Sequence, residues 1–271
     1  MTLADVGSLV LVGAGKMGTA MAKGWLAAGL KSANLILVDP KPLAPVVEFV
    51  EKHGLNLVPS VPSNPAEVLV LAVKPQIMQD VLADARDCVS GQTLVLSIAA
   101  GIALGNLTRS LGSERVIRTM PNTPAQVGKG VSGAVAAAGV NAGNRTMAEA
   151  LLGAVGSVVW FEDEAMLDAL TAVSGSGPAY VFLLVEALAA AGVEQGLEPD
   201  QAMALARQTI IGAAALMDAD PTDAGTLRVN VTSPGGTTAA ALSVLMADGG
   251  MKELLSRAVA AARQRSEELG A

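Results

Sequence analysis

From Ser8 to about Phe161, short uninterrupted runs of Val, Leu and Ile alternate with stretches of helical periodicity; the clearest are Leu9–Val12, Leu35–Val38, Val68–Val73, Thr93–Ile98 and Val116–Met120. A strand with one face in water alternates apolar and polar positions. A strand apolar at every position belongs to a parallel sheet covered by helices on both faces. After S-V-V-W-F-E at 157–162 the period becomes helical throughout: a helix from about Asp163, a break at S-G-S-G-P, then Ala179–Val193, Gln201–Ala219, Ala239–Met246 and Met251–Leu269. Pro199 ahead of Asp200 and Gln201 marks a helix start, and Gly249-Gly250 a stop. The pattern predicts a doubly wound α/β domain over residues 1–162 and an all-α domain over 163–271, with no repeat or low-complexity linker between them.

Composition adds an association state and removes several partners. The 271 residues are 51% hydrophobic but only 2% aromatic, so the apolar surface is Ala, Val and Leu, in excess of what one subunit can hide. That predicts an oligomer. A net charge of -7, without any dense Lys/Arg cluster, sets nucleic acid aside. The longest charge-free run, Cys88–Thr108, is punctuated by Gly, Ser, Gln and Asn and reads as a strand with flanking loops, not a membrane span. Cys88 is the one cysteine and reads as a small buried thiol. The opening residues lack the basic lead and cleavage region of a secretory signal, so the expected location is the reducing cytoplasm.

Candidate chemistry begins where the first strand ends. Ser8–Val12 runs directly into Gly13-Ala14-Gly15-Lys16-Met17-Gly18, followed by a helical stretch ending near Gly29. In a strand, G-x-G-x-x-G, helix context, Gly13 allows the tight turn, Gly15 lets the backbone approach a pyrophosphate, and Gly18 lets helix and strand lie close. The helix N-terminus supplies positive potential to the phosphates. A structural glycine turn can carry the same hexapeptide; the context makes this a dinucleotide-binding, Rossmann-type domain. The second strand ends at Asp39, with Lys41 two positions on. A carboxylate there accepts from both ribose hydroxyls and favours NADH, whereas Lys41 would pair with the extra phosphate of NADPH; Asp39 capping a turn before Pro40 reads the same way. Further turns follow strands at Ala72-Val73-Lys74-Pro75, at 97–101 with Ala99, Ala100 and Gly101, and at 120–124 with Pro121 and Asn122. All are expected on the carboxyl edge of the sheet, where ligands bind open parallel sheets.

The acid–base inventory is short. His53, in E-K-H-G, reads as a helix C-terminal residue, and the helical half has no lysine before Lys252. One His, one Cys and no clustered carboxylates build no metal site, so none is expected. A hydride acceptor that is already cationic, such as a protonated C=N, needs little help from a side chain, which points to an imine. Residues 231–238 read V-T-S-P-G-G-T-T, whose glycines and hydroxyls can converge N–H and O–H donors on an anion such as a substrate carboxylate. A polar turn joining two helices gives the same residues. Glu164 could offset an iminium charge, or serve only as a helix N-terminal acid.

Taken together, G-A-G-K-M-G at 13–18, A-V-K-P at 72–75, S-I-A-A-G-I at 97–102, R-T-M-P-N-T-P at 118–124, D-A-L-T-A-V-S-G-S-G-P-A-Y at 168–180 and L-R-V-N-V-T-S-P-G-G-T-T at 227–238 resemble the pyrroline-5-carboxylate reductases, in order and over nearly the whole chain. The last two are the specific motifs. The resemblance implies reduction of the cyclic imine pyrroline-5-carboxylate to proline with NADPH or NADH. It implies that Ser233, Gly236, Thr237 and Thr238 hold the substrate carboxylate, with Thr238 as proton donor. It also implies Glu164 in the substrate pocket, Ser176 and Pro178 shaping it, and Asn230 reaching the cofactor. Dimers of intertwined helical domains, often assembled into decamers, are implied as well. Relatives preferring NADPH tend to carry a Ser- or Thr-rich turn where Asp39-Pro40-Lys41 stands here.

Overall fold

The computed structural model of the chain describes residues 2–270. The polypeptide forms two compact units, one of residues 1–175 with 262–271, the other of residues 176–261. In the first, β1 (Leu9–Val12), α1 (Lys16–Ala27), β2 (Leu35–Val38), α2 (Ala44–His53), β3 (Asn56–Val58), β4 (Val68–Leu71), α3 (Met78–Asp84), β5 (Leu94–Ser97), α4 (Leu104–Leu111), β6 (Val116–Pro121), β7 (Gly130–Ala136), α5 (Ala142–Gly153), β8 (Gly156–Trp160) and α6 (Met166–Leu170) follow in order. The eight strands lie in the order β3-β2-β1-β4-β5-β6-β7-β8, parallel except for the antiparallel β6–β7 pair.

Alternate strand positions feed two separate cores. Leu9, Leu11, Leu35, Leu37, Val68, Val70, Leu94 and Leu96 pack with Met21 and Trp25 of α1, Phe49 of α2, and Leu151 and Leu152 of α5. Val10, Val12, Val38, Leu69, Leu71 and Val95 face the other way, against Met78 and Leu82 of α3 and Leu107 and Leu111 of α4. Cys88 is buried in this second core, and burial pushes its thiol pKa up. His53 is the last residue of α2, closed by Gly54 in the left-handed region.

The second unit holds α7 (Gly177–Glu194), α8 (Pro199–Ala219), α9 (Ala224–Asn230), α10 (Thr237–Leu245) and the greater part of α11 (Met251–Gly270). Its buried apolar residues are small: Ala189, Ala202 and Ala206, where α7 meets α8, with Val185 beside them. Large residues on the same helices, among them Phe182, Leu183, Leu205 and Ile211, are exposed.

Several boundaries differ from the sequence-based expectation. The break at S-G-S-G-P is confined to a bend at Ser176: a π-turn over Thr171–Gly175 leads up to it, α7 starts directly after it, and Pro178 falls in the first helical turn, where its missing N–H costs nothing. The helix expected from Asp163 starts at Met166. The change of period near Phe161 marks the end of the sheet, but the first compact unit runs on to Gly175, because Leu167 and Ala172 are buried in it. Strands β7 and β8 lack long apolar runs, being G-V-S-G-A-V-A and G-S-V-V-W, and β3 is three residues long. The short helix α9 declares itself by Asp223, whose carboxylate accepts from the Thr226 N–H at 3.0 Å. The run Met166–Glu194 is long and apolar enough to cross a membrane, with mean hydropathy 1.5, although it contains the polar π-turn and Glu186.

Leu151 lies in the last turn of α5, where carbonyls lack helical donors, and its oxygen accepts from the buried Trp25 indole N–H at 2.8 Å. Trp25→Phe removes that donor and should destabilise the chain by about 1–3 kcal/mol. Denaturant unfolding, with an earlier midpoint and an unchanged slope, is the measurement that checks it.

Candidate functional site

The first cluster lies at the carboxyl ends of β1, β2, β4, β5 and β6. Gly13 leaves β1 with φ +98°, and a Cβ there would stand 2.6 Å from the Ala72 carbonyl oxygen. Its N–H donates to the Val38 carbonyl at 2.9 Å, binding the turn to β2. At Gly18 a Cβ would meet the Gly13 carbonyl oxygen, so glycine is what lets α1 approach the strand. Gly15 is different: a Cβ there would project into open space, with nothing within 4 Å. Gly15 is also the N-cap of α1, which no side chain caps. The N–H groups of that first turn, with Lys16 exposed beside them, are therefore available to an anion. These features fit the phosphates of a dinucleotide, and Ala14, Lys16 and Met17 complete the turn that would hold them.

Asp39 extends the β2–β3 ladder through its N–H to the Val58 carbonyl, while its Oδ1 accepts from the Lys41 N–H at 2.9 Å. One carboxylate oxygen thus shapes the Asp39-Pro40-Lys41 turn. Ala72 donates its N–H to the Val12 carbonyl at 2.8 Å; Val73 is half-buried, Lys74 is exposed, and Pro75 opens a 3-10 turn. Ala99 is buried, Ala100 is exposed, and Gly101, at φ +70°, lies against the Leu269 carbonyl near the end of α11. Pro121 ends β6. The Asn122 side chain is occupied within the fold: Oδ1 accepts from the Val131 N–H at 2.9 Å, and Nδ2 donates to the Ser174 hydroxyl at 3.1 Å and carbonyl at 3.2 Å. It joins the end of β6 to the π-turn.

Glu164 is also engaged. Its Oε1 accepts from Arg118 Nη1 at 2.5 Å and from the Leu104 N–H, the first residue of α4, at 2.7 Å. Arg118 stands within R-T-M-P-N-T-P, but sequence reasoning did not single it out. A signal was present: a guanidinium in the middle of a strand buried on both faces needs an acidic partner.

In the second unit α9 ends at Asn230, and residues 231–236 form a polar turn into α10. Thr232 caps α9 by donating its hydroxyl to the Arg228 carbonyl at 2.6 Å. The Gly236 N–H donates to the Ser233 carbonyl at 3.0 Å, and Gly235 takes φ +69°. Gly236 is the N-cap of α10 and offers no side chain, so the donors of its first turn are uncapped. Among the described residues, the hydroxyls of Ser233, Thr237 and Thr238 make no hydrogen bond within the chain; Ser233 and Thr237 are exposed and Thr238 is half-buried. Ser176 precedes α7, with its carbonyl accepting from Ala179. No group of His, Cys, Asp and Glu able to hold a metal occurs among the described residues.

With this geometry in view, comparison with known proteins is specific. A family model described as pyrroline-5-carboxylate reductase dimerisation matches residues 164–269, and one described as NADP oxidoreductase, coenzyme F420-dependent, matches residues 8–101. A pyrroline-5-carboxylate reductase of Pseudomonas aeruginosa is 41% identical, covering 96% of each chain. One of Arabidopsis thaliana is 38% identical, covering 95% of this chain and 94% of its own. Among solved structures, a pyrroline-5-carboxylate reductase from Coxiella burnetii superposes with a TM-score of 0.91 at 34% identity, covering 98% of this chain and all of that one. The Plasmodium falciparum pyrroline carboxylate reductase with NADP bound superposes at 0.82 with 32% identity, covering 99% of each.

The glycines make separable predictions. Gly15→Ala should leave the melting temperature within the range of an ordinary surface substitution, about ±0.5 kcal/mol in stability, while weakening reduced-cofactor binding. Gly18→Ala should lower the melting temperature itself. Thermal melts and a fluorescence titration with NADPH and NADH check both.

Proposed function

The chain belongs to the pyrroline-5-carboxylate reductase family, and from that premise we propose how its residues divide the work. The reaction is reduction of the cyclic imine 1-pyrroline-5-carboxylate to L-proline by an NAD(P)H-dependent oxidoreductase. The observation that carries the assignment of residues is the start of α10: an uncapped N-terminus flanked by the unengaged hydroxyls of Ser233, Thr237 and Thr238. A helix N-terminus with surplus donors suits a carboxylate, and these residues fit that part of the substrate. The hydroxyls of Ser233 and Thr237 and the main-chain N–H groups from Gly236 onward hold the carboxylate. Thr238 Oγ1 donates the proton to the ring nitrogen. Ser176 and Pro178, at the start of α7, shape the pocket. Glu164 forms part of its wall; its charge is already matched by Arg118, so it acts less as a counter-ion than its sequence position suggests.

The reduced nicotinamide supplies the hydride. Residues 13–18 hold the phosphates, the turns at 72–75, 99–101 and 121–122 line the nicotinamide half, and Asn230 reaches the cofactor. At the end of β2, Asp39 accepts from the ribose hydroxyls, so NADH is turned over well, with Lys41 also admitting NADPH. The helical unit makes the dimer: three buried alanines are too little core for it, while Phe182, Val181, Met203 and Ile211 line an apolar groove of about 370 Å3. Further assembly of dimers into a decamer fits the remaining exposed Leu and Met residues of α10 and α11. A cytoplasmic location fits the single, buried Cys88.

Mixing the protein with NADH or NADPH and 1-pyrroline-5-carboxylate, and following the absorbance of the reduced cofactor, tests the reading directly; absence of turnover with both would overturn it. Thr238→Ala should lower kcat and Ser233→Ala should raise the substrate KM. Each loss is about ten- to a hundred-fold, equivalent to roughly 1.5–3 kcal/mol for one charge-assisted hydrogen bond. An unaffected Thr238→Ala enzyme would transfer the proton step to water or to the substrate's own N–H. An efficiency ratio strongly favouring NADPH would remove Asp39 from the ribose.

A further inference from the structure

We infer that Arg118 is a positioning residue for the loop between β5 and α4, acting through Glu164. The loop runs from Ile98 to Ala103 and contains Ala99, Ala100 and Gly101, so the inference rests on the cofactor placement proposed above. Arg118 reaches both ends of it. Its backbone is in register with Ser97, the last residue of β5, whose hydroxyl accepts from the Ala99 N–H at 3.4 Å. Its side chain reaches the other end through Glu164, since the oxygen that accepts from Nη1 also accepts from the Leu104 N–H.

The chemistry of the α4 terminus explains why a distant carboxylate is used. The N-cap of α4 is Ala103, which has no side-chain acceptor, so the Leu104 N–H is an orphan donor. Glu164, sixty residues further on, supplies the missing acceptor and places a negative charge at the positive end of the helix. A lone carboxylate there could turn towards solvent, its side chain being 32% exposed; the guanidinium, only 10% exposed and anchored in β6, fixes which way it points. The pair is not an economical way to gain stability. Arg118 Nε is buried without a hydrogen-bond partner among the described residues, a cost that an apolar residue in β6 would avoid. What the arrangement provides is a defined path for residues 98–103, with Gly101 held at φ +70° against the Leu269 carbonyl.

The test uses the full chain with Arg118→Met, Arg118→Lys and Glu164→Gln. Amide hydrogen exchange is measured over residues 98–105, along with kcat and both KM values. Arg118→Met should accelerate exchange in that peptide and raise the KM for reduced cofactor about ten- to a hundred-fold, the factor for one charge-assisted hydrogen bond, a larger change than in the imine KM or kcat. Arg118→Lys, which keeps a cationic donor, should recover most of the effect. Glu164→Gln, whose amide oxygen still accepts from Leu104, should fall between wild type and Arg118→Met. Unchanged exchange over 98–105 in Arg118→Met would overturn the inference, as would parallel losses in both KM values and kcat that track the melting temperature. A rise in the imine KM alone would also overturn it, by making Glu164 a direct substrate contact. If Arg118→Met fails to fold, unchanged exchange in both other variants overturns it. Exchange is read without turnover, so a chain that reduced no imine would remove the proposed function while the loop clamp was still judged by its own measurement.

Discussion

A parallel sheet covered on both faces leaves no strand position where a polar side chain is cheap, and the rest of the molecule follows from that constraint. The runs of β1, β2, β4 and β5 feed the two cores with alternate residues. Polar and turn-forming residues are thereby displaced to the strand ends, where the main chain leaves the sheet, although the N–H groups of Gly13, Asp39 and Ala72 still donate to the neighbouring strand. Gly13, Asp39, Ala72, Ala99 and Pro121 are successive instances of that displacement. Arg118 is the exception that tests the rule: a charge inside the sheet, tolerated because Glu164 arrives from outside it.

Two helix N-termini, one in each unit, share a feature. At α1 and at α10 a glycine occupies the N-cap, so no side chain competes for the first-turn donors. Gly15 leaves open space above the backbone at α1, whereas the residues Ser233, Thr237 and Thr238 bring hydroxyls to the start of α10. The α4 terminus shows the alternative outcome: its acceptor comes from within the protein, and it is thereby committed to structure.

Much of this was legible in the sequence because the signals are local. Uninterrupted apolar runs announced five strands, G-x-G-x-x-G announced the tight turn from a strand into a helix, and S-P-G-G-T-T announced a polar turn ahead of a helix. What was not legible depends on partners distant in sequence. Strand β7, with its two glycines, is a strand because β6 and β8 pair with it, not because its residues prefer to be. The Gly- and Ser-rich stretch before Pro178 reads as a break, and it is one only at Ser176; the residues before it form a π-turn tied to Asn122 at the end of β6. The side-chain partners of Asn122 and Glu164 are equally hidden: Ser174 for the one, Arg118 and Leu104 for the other, lie 46 to 60 residues away.

The return of the chain to its first unit bears on how the protein is made. The polypeptide leaves that unit after Gly175, builds the helices of the second, and comes back at Ala262, where Ser266 donates to Asp168 at 2.6 Å and the end of α11 closes on Gly101. The helical unit is thus an insertion within the first. During synthesis the residues up to Gly175 emerge from the ribosome before the helical unit, and their contacts with residues 262–270 form only after that unit has been made. The entropy of closing that long excursion is recovered only when the chain returns at Ala262. A nascent chain stalled before Ala262 would therefore carry the whole G-A-G-K-M-G turn but lack the contacts of Ser266 with Asp168 and of Leu269 with Gly101.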